Sequence, residues 1–257
     1  YEIADRDWSS DVCSSDLESM SNNNYLFYGP RGTGKTSVAR IFAKALNCLN
    51  LKDGNPCNEC ENCIVINQNK SIDFVEIDAA SHTGVDNIRE EVIDKAPYPP
   101  AHLRKKVYII DEVHMLSKGA FNALLKIMEE PPASVIFILA TTDTQKIIET
   151  VRSRCFQLYF RPVQDDALLN HLVSVCAAEN IAADVQALSL IIKETGGSVR
   201  DALNLLEQVR FSDARVSKDA VYQVLGQLDE QRLLSLFEIL LYKSPADFLQ
   251  FSHEHSL

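Results

Sequence analysis

Long apolar runs are what this chain most clearly lacks. Nothing in its 257 residues approaches the roughly 18 consecutive apolar positions that a membrane-spanning helix requires, so no membrane span is expected. A surplus of basic residues is missing as well. Thirty-six acidic residues face 25 basic ones, a net charge of −11 at pH 7. This excludes general electrostatic affinity for nucleic acid and leaves any contact with a phosphate backbone to a local patch or to helix N-termini. No stretch resembles a secretory signal, and no internal repeat or low-complexity tract stands out. The one tryptophan, Trp8, falls in a segment that does not read as native.

That segment is 1–20. Asp7 to Leu17 shows no periodicity and back-translates into a common short-read sequencing adapter, so residues 1–20 are expected to be a non-native artefact and are set aside from fold reasoning. They hold six of the 36 acids and one of the 25 bases, which leaves 30 against 24, or −6, for the rest.

What is present begins with Gly29-Pro30-Arg31-Gly32-Thr33-Gly34-Lys35-Thr36. This glycine-rich loop follows the β-prone run Tyr25 to Tyr28 and precedes a helical pattern over 37–46, with Val38, Ile41, Phe42, Ala45 and Leu46 on one face. Strand, loop and helix in this order make a cradle for ATP or GTP, and Gly29 to Ser37 are the expected contacts. The glycines let backbone N–H groups turn toward the phosphates, Lys35 reaches the β- and γ-phosphates, and the Thr36 hydroxyl sits on Mg²⁺. Downstream, Lys106 to Ile110 is the near-continuous apolar run of a central parallel strand, and it ends in Asp111-Glu112. Asp111 is expected to hold Mg²⁺ and Glu112 to polarise the attacking water, the two carboxylate roles that phosphoryl transfer to water needs.

Four cysteines carry a separate signal. Cys48, Cys57, Cys60 and Cys63 are spaced C-x8-C-x2-C-x2-C around the turn-forming Asp53-Gly54-Asn55-Pro56. That pattern suits tetrahedral Zn²⁺ held by four thiolates, and with no position left for water the metal is expected to be structural. Cys57, Cys60 and Cys63 lie among Asn, Glu and Pro, so burial on an apolar face is not expected. Disulfides are not expected either, because a nucleotide-dependent enzyme without a secretory signal belongs in the reducing cytoplasm.

Residues 21–161 alternate strand and helix patterns, with strands expected at 25–28, 74–77, 107–110, 135–139 and 155–160. The alternation predicts an α/β domain with a parallel sheet flanked by helices. Past Pro162 the patterns at 165–180, 183–195, 199–211 and 217–225 are all helical, which predicts a small helical lid over 162–219. A further helix over 229–241 opens a last unit, 220–257. The turn Ser81-His82-Thr83-Gly84 precedes a helical stretch at 85–95 and reads equally as a cap for that stretch or as a DNA contact. Arg104-Lys105-Lys106 reads as a solvated loop rather than a DNA-binding patch.

Taken in order, these motifs resemble the gamma/tau subunits of bacterial DNA polymerase III, the AAA+ ATPases of the sliding-clamp loader. The resemblance rests on the phosphate loop, the four-cysteine insertion, Asp111-Glu112-Val113-His114, and Phe121 to Lys126 running to Glu129-Glu130-Pro131-Pro132. It continues through Leu139-Ala140-Thr141-Thr142-Asp143, Ser153-Arg154-Cys155 and Gly197-Ser198-Val199-Arg200-Asp201-Ala202-Leu203. The related delta-prime subunits share the zinc module and Ser-Arg-Cys but typically carry a defective phosphate loop.

The resemblance implies an AAA+ P-loop fold with a zinc-binding insertion at 48–63, a lid, and the start of an oligomerisation collar at 220–257. It implies ATP, Mg²⁺ and Zn²⁺ as cofactors. Thr142 would emerge beside Asp111 to sense the γ-phosphate or the attacking water, Arg154 would act as an arginine finger in a neighbour's site, and Arg200 would reach the phosphates from the lid. The implied activity is ATP hydrolysis that loads the sliding clamp on primer-template DNA. The implied setting is a cytoplasmic hetero-oligomer with delta, delta-prime and further gamma/tau copies in the polymerase III holoenzyme. Although the family is usually labelled DNA-directed DNA polymerase, no polymerase site is recognisable. The Arg-Pro and Val-Gly-Gln signatures that usually precede the loop and help enclose adenine are absent from this sequence. A catalytically silent, delta-prime-like scaffold and a P-loop kinase are the alternative readings.

Overall fold

The computed structural model describes residues 23–81, 84–213 and 215–227, together with positions 234, 237 and 241. The chain divides into two compact units after Val163. The adapter-like segment lies outside the described residues, as do His82, Thr83 and most of the helix expected over 229–241.

In the first unit five strands, β1 (Asn24–Tyr28), β2 (Phe74–Asp78), β3 (Lys106–Asp111), β4 (Val135–Thr141) and β5 (Phe156–Tyr159), form one sheet. Their order is β2-β3-β4-β1-β5 and every neighbouring pair is parallel. The central runs are apolar throughout because both faces of the sheet are covered. Tyr108, Ile110, Phe137 and Leu139 point to one face, while Val107, Ile109, Ile136 and Ile138 point to the other. The first face packs against α3 (Val85–Ile88) and α4 (Lys118–Glu129) through Ile88, Phe121, Leu124 and Met128. The second packs against α1 (Lys35–Asn47) through Val38, Ala39, Phe42 and Ala43. Each fully buried Leu, Ile or Phe in these layers contributes about 1.5–3 kcal/mol of transfer free energy. Two shorter helices, α2 (Glu61–Asn67) and α5 (Glu149–Arg152), complete the unit.

Three local readings gain detail. The helix expected over 85–95 is a single α turn that widens into a π turn at Arg89–Ile93, with Ile88 and Val92 still fully buried. Ser81 does not cap it: the Ser81 hydroxyl donates to Asp78 Oδ2 at 2.8 Å, and Gly84 precedes the helix without a side-chain cap. Of Arg104-Lys105-Lys106, Arg104 is exposed as a solvated loop residue, but the two lysines are engaged. Lys106 is buried with Nζ donating to the Lys95 and Tyr98 carbonyls at 3.0 and 3.1 Å, and Lys105 Nζ donates to Ala133 O at 2.7 Å. Strand β3 begins at Lys106, so that lysine is drawn into the sheet and its ammonium closes the loop behind it.

Asp73 fixes the entry to the sheet from below. Its buried carboxylate accepts the backbone N–H groups of Ala101, His102 and Leu103 at 2.7–3.0 Å. Burial works against its charge, but the N–H groups of His102, Leu103 and Ala101, with the Lys106 ammonium, outweigh it and hold the carboxyl below the usual range.

The second unit is helical over its described residues: α6 (Asp165–Ala178), α7 (Val185–Thr195), α8 (Val199–Ser212) and α9 (Lys218–Leu225). Leu168, Leu172, Leu188, Ile191, Leu206 and Val209 form its buried side. Gly196 ends α7 at φ 55°, a left-handed conformation, and Ser198 then caps α8 by accepting from Asp201 N.

Candidate functional site

The phosphate loop leaves the carboxyl end of β1 next to the end of β4, where Gly29 N donates to Thr141 O at 3.3 Å. Gly29 has φ 150°, and a Cβ at that position would stand 2.1 Å from Phe160 O, so only glycine fits where the loop passes the end of β5. Gly34, at φ 90°, turns the chain directly into α1, whose first residue is Lys35. Lys35 is buried across the loop mouth, with Nζ donating to Gly29 O at 3.0 Å and Pro30 O at 2.8 Å. Thr33 Oγ1 also donates to Pro30 O, at 2.9 Å, while Arg31 and Ser37 are exposed.

Strand order brings the second half of the site to this loop, because β4 lies between β1 and β3 and all three run the same way. The Thr36 hydroxyl donates to Asp111 Oδ2 at 2.7 Å, so the two expected magnesium ligands meet across 75 residues of sequence. Asp111 Oδ1 accepts Glu112 N at 2.9 Å. Glu112 itself stands at φ 46°, ψ 44°, a left-handed conformation that costs a non-glycine residue on the order of 1 kcal/mol or more. From there its carboxylate reaches the end of β4, where Oε2 accepts Thr142 Oγ1 at 3.1 Å and Thr142 N at 3.4 Å. Thr142, expected to emerge beside Asp111 at the strand end, directly follows β4, and its hydroxyl bonds to the adjoining carboxylate, Glu112. Sequence reasoning also left His114 and Thr141 without a role. His114 Nδ1 is 2.9 Å from Thr141 Oγ1 and 3.3 Å from Glu112 Oε2.

The four cysteines converge. Their sulfurs all lie within 4.8 Å of one another. Cys48 follows α1 directly, Cys60 precedes α2 and Cys63 sits in its first turn. Cys63 is fully buried, contrary to the expectation from its polar neighbours in sequence, because α2 turns Cys63 and Ile66 inward. Cys57 N donates to Cys48 Sγ and Cys60 N to Cys57 Sγ, both at 3.3 Å. Burial opposes ionisation of Cys60, but backbone groups at Leu49 and Cys63 and the Cys63 and Cys57 thiols bring it down to about 6. Burial pushes the Cys63 thiol up. Four soft sulfur donors this close together fit a tetrahedral zinc ion.

Arg154 lies elsewhere. It precedes β5, and since β1 and β5 are parallel with Tyr25 opposite Phe156, it sits at the end of the sheet opposite the phosphate loop. Its Nη1 donates to Thr150 O at 2.8 Å and its Nη2 to Glu129 Oε1 at 2.9 Å. Arg200 is exposed in the first turn of α8, in the second unit.

A family model described as DNA polymerase III, delta subunit, matches residues 13–164, and one described as DNA polymerase III clamp loader subunit, ATPase lid domain, matches residues 167–210. DNA polymerase III subunit tau of Escherichia coli is 47% identical over 218 residues, covering 84% of this chain and 34% of that protein. DNA polymerase III subunit gamma of Buchnera aphidicola is 42% identical over 235 residues, covering 91% and 63%. The chain belongs to the DNA polymerase III clamp-loader family, in its gamma/tau branch. It spans about a third of the length of the tau relatives it matches. Among solved structures, the Thermotoga maritima RuvB Holliday junction branch migration motor aligns at a TM-score of 0.57 with 17% identity, over 93% of this chain and 75% of that one. The Aeropyrum pernix ORC2 protein aligns at 0.57 with 14% identity, over 98% and 84%. At these identities the likeness is one of fold, and it makes this clamp-loader chain an AAA+ ATPase fold as the motifs led one to expect. No helix among its described residues is long and apolar enough to cross a membrane.

Proposed function

We propose that this chain is the motor portion of a sliding-clamp loader, hydrolysing ATP to place the clamp on primed DNA. The observation that carries the reading is the 2.7 Å bond from Thr36 to Asp111, which assembles a metal-binding pair beside the phosphate loop and next to the Glu112 carboxylate. A silent delta-prime-like subunit has no need of that pair.

Backbone N–H groups of the loop and the start of α1 would bind the phosphates, with Lys35 moving its ammonium from the loop carbonyls to the β- and γ-oxygens. Thr36 and Asp111 would hold Mg²⁺, which would supply charge neutralisation for the phosphates. Glu112, steadied by Thr142, orients the attacking water and takes its proton. Arg154 faces away from its own loop, which suits a guanidinium that stabilises charge in a neighbouring subunit. Arg200 is assigned by its place in the lid motif. The cysteine cluster is assigned to structural Zn²⁺. The partners proposed are delta, delta-prime, further gamma/tau copies, the clamp and primer-template DNA, in the cytoplasm.

The test is ATP turnover by the full-length protein assembled with its loader partners, with and without primed DNA and clamp. Turnover is expected to rise with DNA and clamp and to fall sharply when Arg154→Ala is introduced, while ATP affinity of the isolated mutant chain stays near wild type. Turnover indifferent to DNA and clamp would count against the motor reading, and a defect confined to the mutant subunit's own site would rule out action of Arg154 in trans.

A further inference from the structure

Two donors of Thr142 and a ring nitrogen of His114 converge on one oxygen of Glu112. Oε2 lies 3.1 Å from Thr142 Oγ1, 3.4 Å from Thr142 N and 3.3 Å from His114 Nδ1. The same ring nitrogen is 2.9 Å from Thr141 Oγ1. A threonine hydroxyl has a single proton, and Asp143 O at 3.1 Å from Thr141 Oγ1 is an acceptor for it, while Asp143 N donates to the same oxygen at 3.0 Å. With that proton committed, the contact to His114 is attractive only when Nδ1 carries hydrogen and donates. The Nδ1–H group then donates to Thr141 Oγ1 and, at 3.3 Å, adds an electrostatic attraction to Glu112 Oε2. The ring has little freedom to leave: its side chain is 10% exposed, and it stands in the tight turn Val113–Met115 behind the fully buried Val113.

We propose that His114 is a positioning residue for hydrolysis, using an Nδ1–H held in place by Thr141 to anchor Glu112 Oε2 and so present Oε1 to the water. This role rests on Glu112 being the water-orienting carboxylate. A glutamate fixed at one contact can still swivel about its side-chain bonds, and misplacement by about 1 Å can cost a hundredfold in rate. Thr142 holds the carboxylate from the end of β4 and His114 holds it from the turn after β3. Two anchors on separate elements remove the swivel.

In the full-length protein assembled with its loader partners, His114→Ala is expected to lower kcat roughly ten- to a hundredfold. The KM for ATP and the affinity for a non-hydrolysable analogue should change little. His114→Asn, whose side-chain amide can donate from nearly the same place, should recover most of the lost rate. Glu112→Gln serves as the control. If it abolishes hydrolysis while His114→Ala keeps wild-type kcat, the positioning role is overturned. If Glu112→Gln itself stays active, the reading of Glu112 fails and this role with it. A measurement independent of turnover uses the ¹⁵N shifts of the histidine rings in the present chain, with the His114 signals assigned by their loss in His114→Asn. Hydrogen on Nδ1 supports the proposal, and a neutral ring with hydrogen on Nε2 alone overturns it.

Discussion

At the scale of single residues, the account turns on polar groups whose partners come from distant sequence. Asp73 is the plainest structural case. Its carboxylate satisfies three successive N–H groups at 101–103, so Asp73→Ala leaves three donors of one loop without their acceptor and should cost about 2–4 kcal/mol. Urea denaturation at neutral pH measures this directly; a loss near zero would mean that water replaces the carboxylate at no cost. The pH dependence follows from the sign of the shift. The folded carboxyl lies below its usual range, so its stabilisation is present above the unfolded value of about 3.9 and is lost as pH falls through the lower folded value. Asp73→Asn should accordingly be less sensitive to acid than wild type below about pH 4. Functional residues follow the same pattern of long reach, since Thr36 meets Asp111 and His114 meets Thr141 only after the sheet has formed.

At the scale of elements, what could be read from the sequence is what burial writes into contiguous residues. Strands β3 and β4 were legible because both of their faces are covered, which leaves unbroken runs such as Val135 to Leu139. The phosphate loop was legible because the backbone demands glycine where Phe160 O crowds Gly29. Helix α2 was not: seven residues turn only Cys63 and Ile66 inward, too short a pattern to show a period, so Cys63 looked exposed. The partner of Thr142 was not legible either, since its bond to Glu112 forms only once β4 lies beside β3. For the cysteine module, which links the end of α1 to α2, one zinc ion per chain is expected from elemental analysis of protein purified without chelator. Stripping it with a thiol reagent, or replacing Cys63 by Ser, should lower thermal stability, since metal binding and folding of this segment are coupled. Absence of stoichiometric metal, with unchanged stability in Cys63→Ser, would remove the zinc assignment.

At the scale of the whole molecule, the parallel sheet separates two functions onto its two ends. The carboxyl ends of β1, β3 and β4 gather Lys35, Thr36, Asp111, Glu112 and Thr142, while Arg154 stands at the opposite end beside Glu129. On the roles proposed above, a chain built this way would hold the binding and water-orienting groups for one ATP and offer a guanidinium to another. This is why full activity is expected of an assembly and why affinity and turnover should come apart under mutation. The most direct measurement is the binding of a fluorescent ATP analogue with Mg²⁺, paired with single-turnover hydrolysis, in wild type, Lys35→Ala and Glu112→Gln. The account predicts that Lys35→Ala loses binding, whereas Glu112→Gln binds like wild type and does not hydrolyse. Unaltered affinity in Lys35→Ala, or wild-type hydrolysis in Glu112→Gln, would contradict it.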